Sequence, residues 1–164
     1  MGLFSKNQPE KQLGKTTAEL KLEKIVTRVF DGELKEMSSN NESGSYSWGI
    51  DHESTLVMAE ISSEFGSENN PIVHVFSFCA VGVPETDKLY RYLMTDCTTS
   101  IFSQFKIASG EKKGTVDVLV QRHMSLDTLD DDEFKTAFLD IAITSDDNDD
   151  EIVKRFGGKT AMED

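Results

Sequence analysis

The sequence is short of several things at once. Cysteine is scarce: Cys79 and Cys97 are the only two in 164 residues. Two cysteines cannot make a disulfide framework. Their positions, one in a strand pattern and one in a helix pattern, predict buried thiols, and a bridge between them stays open. Positive charge is scarce as well, with 17 Lys and Arg against 30 Asp and Glu, a formal net charge of −13. General nucleic-acid binding needs clustered cations for the phosphates, so that class is excluded; docking on an anionic membrane is disfavoured for the same reason. No apolar run approaches the roughly 18–20 residues of a membrane span. Met1-Gly-Leu-Phe-Ser-Lys-Asn7 lacks the apolar stretch of a signal peptide, and Lys6 stands where a myristoylation signal wants Ser or Thr. The expected location is cytoplasmic.

Catalytic equipment is missing too. His52, His74 and His123 lie at no ligand spacing from a cysteine or carboxylate, so no zinc motif is present. Ser77 sits between Phe76 and Phe78 without a glycine elbow. Gly110 and Gly114 belong to a hairpin and do not form a phosphate loop. Asp146, Asn148 and Asp150 match the first ligand positions of a calcium loop. Glu151 then stands where the turn needs glycine, and Gly157 where a bidentate glutamate is needed, so the run reads as helix capping. No catalytic residue, metal or cofactor is expected.

What is present suits one domain. Hydrophobic residues make up 37%, ten of them Phe, and 29% are charged. The charge is uneven: residues 1–28 hold six bases and three acids, net +3, whereas residues 126–164 hold four bases and thirteen acids, net −9. The organisation expected is a flexible lead (1–15), a single domain (16–158) and a tail (159–164).

Thr16-Thr-Ala-Glu19 has capping-box spacing, and Leu22, Ile25, Val26, Val29 and Phe30 follow on one helical face. Residues 38–45 are a loop by composition. Strands are expected at 46–50, 55–61 and 71–83, the last a long apolar run. A helix over 86–98 follows, capped by Thr86 or Asp87, with Leu89, Leu93 and Cys97 on one face. A hairpin joins 105–108 to 115–121. The last region is helical from the acidic cluster at 130–133, breaks at Ser145–Asn148, and stops at Gly157-Gly158. The expected fold is α+β: an antiparallel sheet with helices packed mainly on one face, in the order α-β-β-β-α-β-β-α.

Strand parity divides the sheet into two faces. One takes Val57, Ala59, Ile61, Val73, Val75, Cys79, Val81, Val116, Val118 and Val120, with Phe105 and Ile107. It is the core face. The other mixes charge with large apolar groups: Leu56, Met58, Glu60, Ile72, His74, Phe76, Phe78, Asp117, Leu119 and Gln121. If helices cover one side only, Met58, Phe76, Phe78 and Leu119, with His74 at the edge, form an interaction surface; otherwise a helix or second subunit covers them. Trp48 fits either face. Tyr90, Tyr92 and Met94 lie off the main face of the second helix, either for a homodimer contact or for packing within the chain.

From Tyr46 to Gly158 the chain resembles a known family. The resemblance is carried by Tyr46-Ser-Trp48, by Val81-Gly-Val-Pro84 leading into the Leu89–Leu93 helix, by the hairpin ending in Val116-Asp-Val118, by Ser145-Asp146 and by Phe156-Gly-Gly158. These resemble the YbjN-like family, whose fold is that of type III secretion chaperones. The break differs from the family's Ala-Asp, and Asp96 stands where many relatives have Asn. The resemblance implies a non-enzymatic, chaperone-like protein that binds a peptide or protein client. The alternative it leaves is a stress or signalling regulator acting through one dedicated partner.

Overall fold

A computed structural model of the chain describes residues 15–30, 35–38, 46–97, 100 and 102–162, with side chains for all of these but 35–38, 63 and 64. The elements run α1 (Thr17–Val29), β1 (Lys35–Ser38), β2 (Tyr46–His52), β3 (Thr55–Ser67), β4 (Asn70–Pro84), α2 (Asp87–Thr95), β5 (Gln104–Ser109), β6 (Thr115–Ser125), α3 (Asp131–Phe156) and β7 (Lys159–Thr160). The expected order is present, with β1 and β7 added to it. Residues 1–14 of the expected lead and 39–45 of the expected loop lie outside the described residues. The sheet is antiparallel and ordered β1-β2-β3-β4-β6-β5, with β7 also on β4.

The capping box forms. Thr16 Oγ1 accepts from the Glu19 amide at 3.2 Å, and Glu19 Oε2 accepts from the Thr16 amide at 2.6 Å. The other Glu19 oxygen accepts from the Tyr46 amide at 2.9 Å, which ties α1 to the start of β2. Burial works to raise the Glu19 carboxyl, but the amides of Tyr46 and Thr16 outweigh it and hold the group below its ordinary range. Leu22, Ile25 and Val26 of α1 join Phe134, Phe138, Ile141 and Ala142 of α3 over Val57, Ala59, Val73, Val75, Val118 and Val120 of the sheet. Trp48, 1% exposed, belongs to this core. Both helices thus cover one face, as expected, and no helix among the described residues is long and apolar enough to cross a membrane.

Three expectations need correction. First, parity fails beyond Cys79. The β4/β6 register shifts between Phe78 and Ala80 and again between Ala80 and Val83, so Ala80 and Val83 are buried and Val81 is half-buried. Second, α3 does not break: it is one helix of 26 residues. Of the residues expected to break and recap it, Asp147 is exposed, Asp146 is half-buried, and Ser145 and Asn148 point inward. Ser145 lies 3.1 Å from the Ser77 hydroxyl and 3.4 Å from Cys79 Sγ. Asn148 accepts from Cys97 Sγ at 2.9 Å and donates to the Thr144 carbonyl at 2.7 Å. Asp146 and Asp149 both accept from the Ser54 hydroxyl. With partners across the interface, these side chains leave the helical backbone intact. The calcium-like run is therefore mid-helix, and capping does not explain it. Third, the tail makes a strand. Gly157 and Gly158, at φ +85° and +87°, turn the chain so that Lys159–Thr160 pairs with Ala80–Val81. That stretch of β4 lies past Ser77, where the pairing with β3 ends.

Candidate functional site: the open face of the sheet

The opposite face carries no helix among the described residues. Its side chains fall into rows set by the strand register. Glu60 of β3, His74 of β4 and His123 of β6 are direct cross-strand partners; two residues along, Met58, Phe76 and Gln121 form the next row; and Phe78 faces Leu119, which faces Lys106 of β5. Alternation on pleated strands puts all of these on one side.

Rings dominate the surface. His74 stacks on Phe76 with centroids 4.4 Å apart and on His123 at 4.5 Å, the imidazoles within 2° of parallel. Phe78 meets Phe76 edge-on at 5.9 Å, and Phe65 meets His123 edge-on at 4.9 Å. Five rings therefore form one continuous file along β4 and its neighbours. Such pairs add to what their buried area contributes. His74 is held on both sides: Nδ1 lies 3.4 Å from Glu60 Oε1, and Nε2 lies 3.1 Å from Gln121 Oε1.

Of the five residues expected at an interaction surface, Met58, His74, Phe76 and Phe78 are half-buried and adjacent. Leu119 is on the same face but only 5% exposed, and Gln121 beside it 4%. Leu119 thus supports its neighbours and presents little surface. Phe65 and His123 were not singled out from sequence. The expected strands stop at Ile61 and Gln121, whereas β3 and β6 continue to Ser67 and Ser125. Extending the period of two through Arg122-His123-Met124 would have found His123.

Other candidates lie elsewhere. Ser77 is on the core face, fully buried against Ser145. His52 points to the α3 side, 6.3 Å from Phe138. Among the described residues no group of three or more His, Cys, Asp or Glu is arranged to hold a metal ion. On α2, Leu89 and Leu93 are buried as expected, and so is Cys97, although the helix ends at Thr95, before it; Tyr92 is buried too, Tyr90 is bonded to Glu85, and Met94 alone of the three spare residues is strongly exposed, at 83%.

Asp51, Glu60 and Asp117 share the face with Lys106 and, at the β7 end beside Asp117, with Lys159. Asp117 is committed to the Gly82 amide, which donates to it at 2.8 Å. A partly exposed file of rings with a carboxylate set beside it can hold apolar side chains and orient a polar one. It offers no activated nucleophile. A family model described as T3SS (YopN, CesT) and YbjN peptide-binding chaperone 1 matches residues 21–164. A search of curated proteins found no match.

Proposed function

The chain belongs to the T3SS and YbjN peptide-binding chaperone 1 family, and from that footing we propose that it holds an extended segment of a client polypeptide on the open face of its sheet. One observation carries the reading: the helices lie on one side, and the other side presents Met58, His74, Phe76 and Phe78 as a contiguous, half-buried patch. Soluble domains rarely leave such a patch without a partner. An extended client places alternate side chains on one side, and those would lie over the rows. The role is non-enzymatic, with binding as the whole activity.

The test is binding of dye-labelled extended apolar peptides, read by anisotropy, to the wild type and to Phe76→Ser and Phe78→Ser. Both substitutions are expected to weaken binding at least tenfold while the cooperative melt persists, since neither ring is part of the buried core. If both variants lose their cooperative melt, these rings are structural and the reading fails. A pull-down comparing wild type with Phe76→Ser separates a dedicated regulator, which would lose one stoichiometric partner, from a holdase, which would lose many.

A further inference from the structure

We infer that the client segment carries a lysine or arginine two residues away from a large apolar side chain, and that Glu60 recognises it. This rests on the reading of the open face as the client surface. Glu60 stands in the central rows, and its side chain is 25% exposed. The contact with His74 Nδ1 at 3.4 Å is long for a hydrogen bond. A carboxylate has about four acceptor positions, so Glu60 can take a further cation without giving up the histidine.

The register fixes the spacing. The Glu60–His74 row and the Met58–Phe76 row are two residues apart, and the Phe78–Leu119 row is two further on. Same-side residues of an extended chain repeat at about 6.6–6.8 Å, which matches that step. A client lying along β4 therefore meets Glu60 with one side chain and the two apolar rows with the next two on that side. Charge complementarity selects the sign. The protein is −13 overall, and the described bases of this face, Lys106 beside Leu119 and Lys159 beside Asp117, stand in rows away from Glu60. A basic client is drawn in, an acidic one is repelled, and a second copy of the chain would bring the same −13 against it.

The test uses the full chain and three labelled peptides: one with Arg, Phe and Leu at alternate positions and serines between, and two with Gln or Glu in place of the Arg. Each is titrated by anisotropy against wild type, Glu60→Gln and Phe76→Ser. The Arg peptide is expected to bind wild type about tenfold tighter than the Gln peptide, the size of a partly desolvated charge-assisted contact, and the Glu peptide weakest. Glu60→Gln should bring the Arg and Gln peptides within about twofold of each other. An Arg preference that survives Glu60→Gln overturns the inference. So does a Gln peptide that binds as well as the Arg peptide and is lost on Phe76→Ser, an outcome that leaves the client surface standing. If wild type binds none of the three, or if Phe76→Ser weakens none, the client surface is wrong and the inference falls with it.

Discussion

Replacing Glu19 by alanine removes a carboxylate that holds two elements together. The residue is 5% exposed. It accepts from the Thr16 amide at 2.6 Å and from the Tyr46 amide at 2.9 Å, 27 residues away in sequence. A hydrogen bond to a charged group contributes about 1.5–3 kcal/mol. Thr16 is exposed, so water can replace its lost partner and that contact counts for less. The Tyr46 amide, at the entry to β2, has no such easy replacement. Together the expected cost is about 2–4 kcal/mol. Trp48 is the single tryptophan and is buried two residues beyond Tyr46, so guanidinium unfolding followed by its fluorescence reads the loss directly.

The pH dependence has a definite sign. The Glu19 carboxyl is held below its ordinary value of 4.5 in the folded chain. The unfolded chain therefore takes up the proton first as the solution is acidified. The contribution is complete above the ordinary value and disappears as pH falls through the lower folded one. The gap between wild type and Glu19→Ala should accordingly narrow below about pH 4.5. Glu19→Gln, which keeps one acceptor oxygen, should lose about half as much, and its gap to wild type should narrow over the same range, because the narrowing comes from the wild-type carboxylate. A cost under about 0.5 kcal/mol, or a gap unchanged from pH 7 to strong acid, would falsify the assignment of Glu19 as the tie between α1 and the sheet.

Two further substitutions test the corrections to the fold. Burial pushes the Asp149 carboxyl above its ordinary value of 3.8, so the folded state holds this proton more tightly and the group's contribution falls as pH rises through that window. Asp149→Asn should raise the melting midpoint at pH 7 by about 2–4 °C, with the gain shrinking towards pH 3; a lower midpoint at pH 7 would show that α3 needs the charge. Gly158→Ala places a Cβ 2.7 Å from the Val81 carbonyl at φ +87°. It should cost about 1–3 kcal/mol and speed amide exchange at Lys159 and Thr160, whereas an unchanged midpoint would mean that β7 contributes nothing.

Period-two and period-3.6 patterns were enough to read the layers of this chain, because the core face is built from Val57, Val73, Val75, Val118 and Val120 and the capping box of α1 is local. The patterns failed where partners are distant. Ser145-Asp-Asp-Asn148 has the composition of a break, and only Ser77, Cys79, Cys97 and Ser54, supplied by β4, by the segment after α2 and by the β2–β3 turn, make it a helix interior. The bulges after Phe78 likewise depend on how β6 pairs, so Ala80 and Val83 could not be told from Val81 by alternation. The site was half legible. Phe76 and Phe78 announced themselves as aromatic residues on the less regular parity. His123 became part of the file only when β6 ran on beside His74, a proximity that no spacing in the sequence records.

β4 explains how one sheet can hold a core and the proposed client surface at once. Val73, Val75, Ser77 and Cys79 point towards α3, while Ile72, His74, Phe76 and Phe78 point the other way. Over residues 73–77 the strand is paired on both edges, to β3 and to β6. Its backbone amides and carbonyls are spent there, and a client lying over Phe76 cannot add to the sheet as another strand. It must be held by side chains. Binding through an exposed strand edge takes most of its affinity from main-chain hydrogen bonds and is tolerant of sequence. Binding over a paired interior draws on the fit of side chains to rows, and its affinity should follow their order. On this surface, shuffling a client's basic and apolar residues at constant composition is therefore expected to weaken binding more than a proline that removes one of its backbone donors.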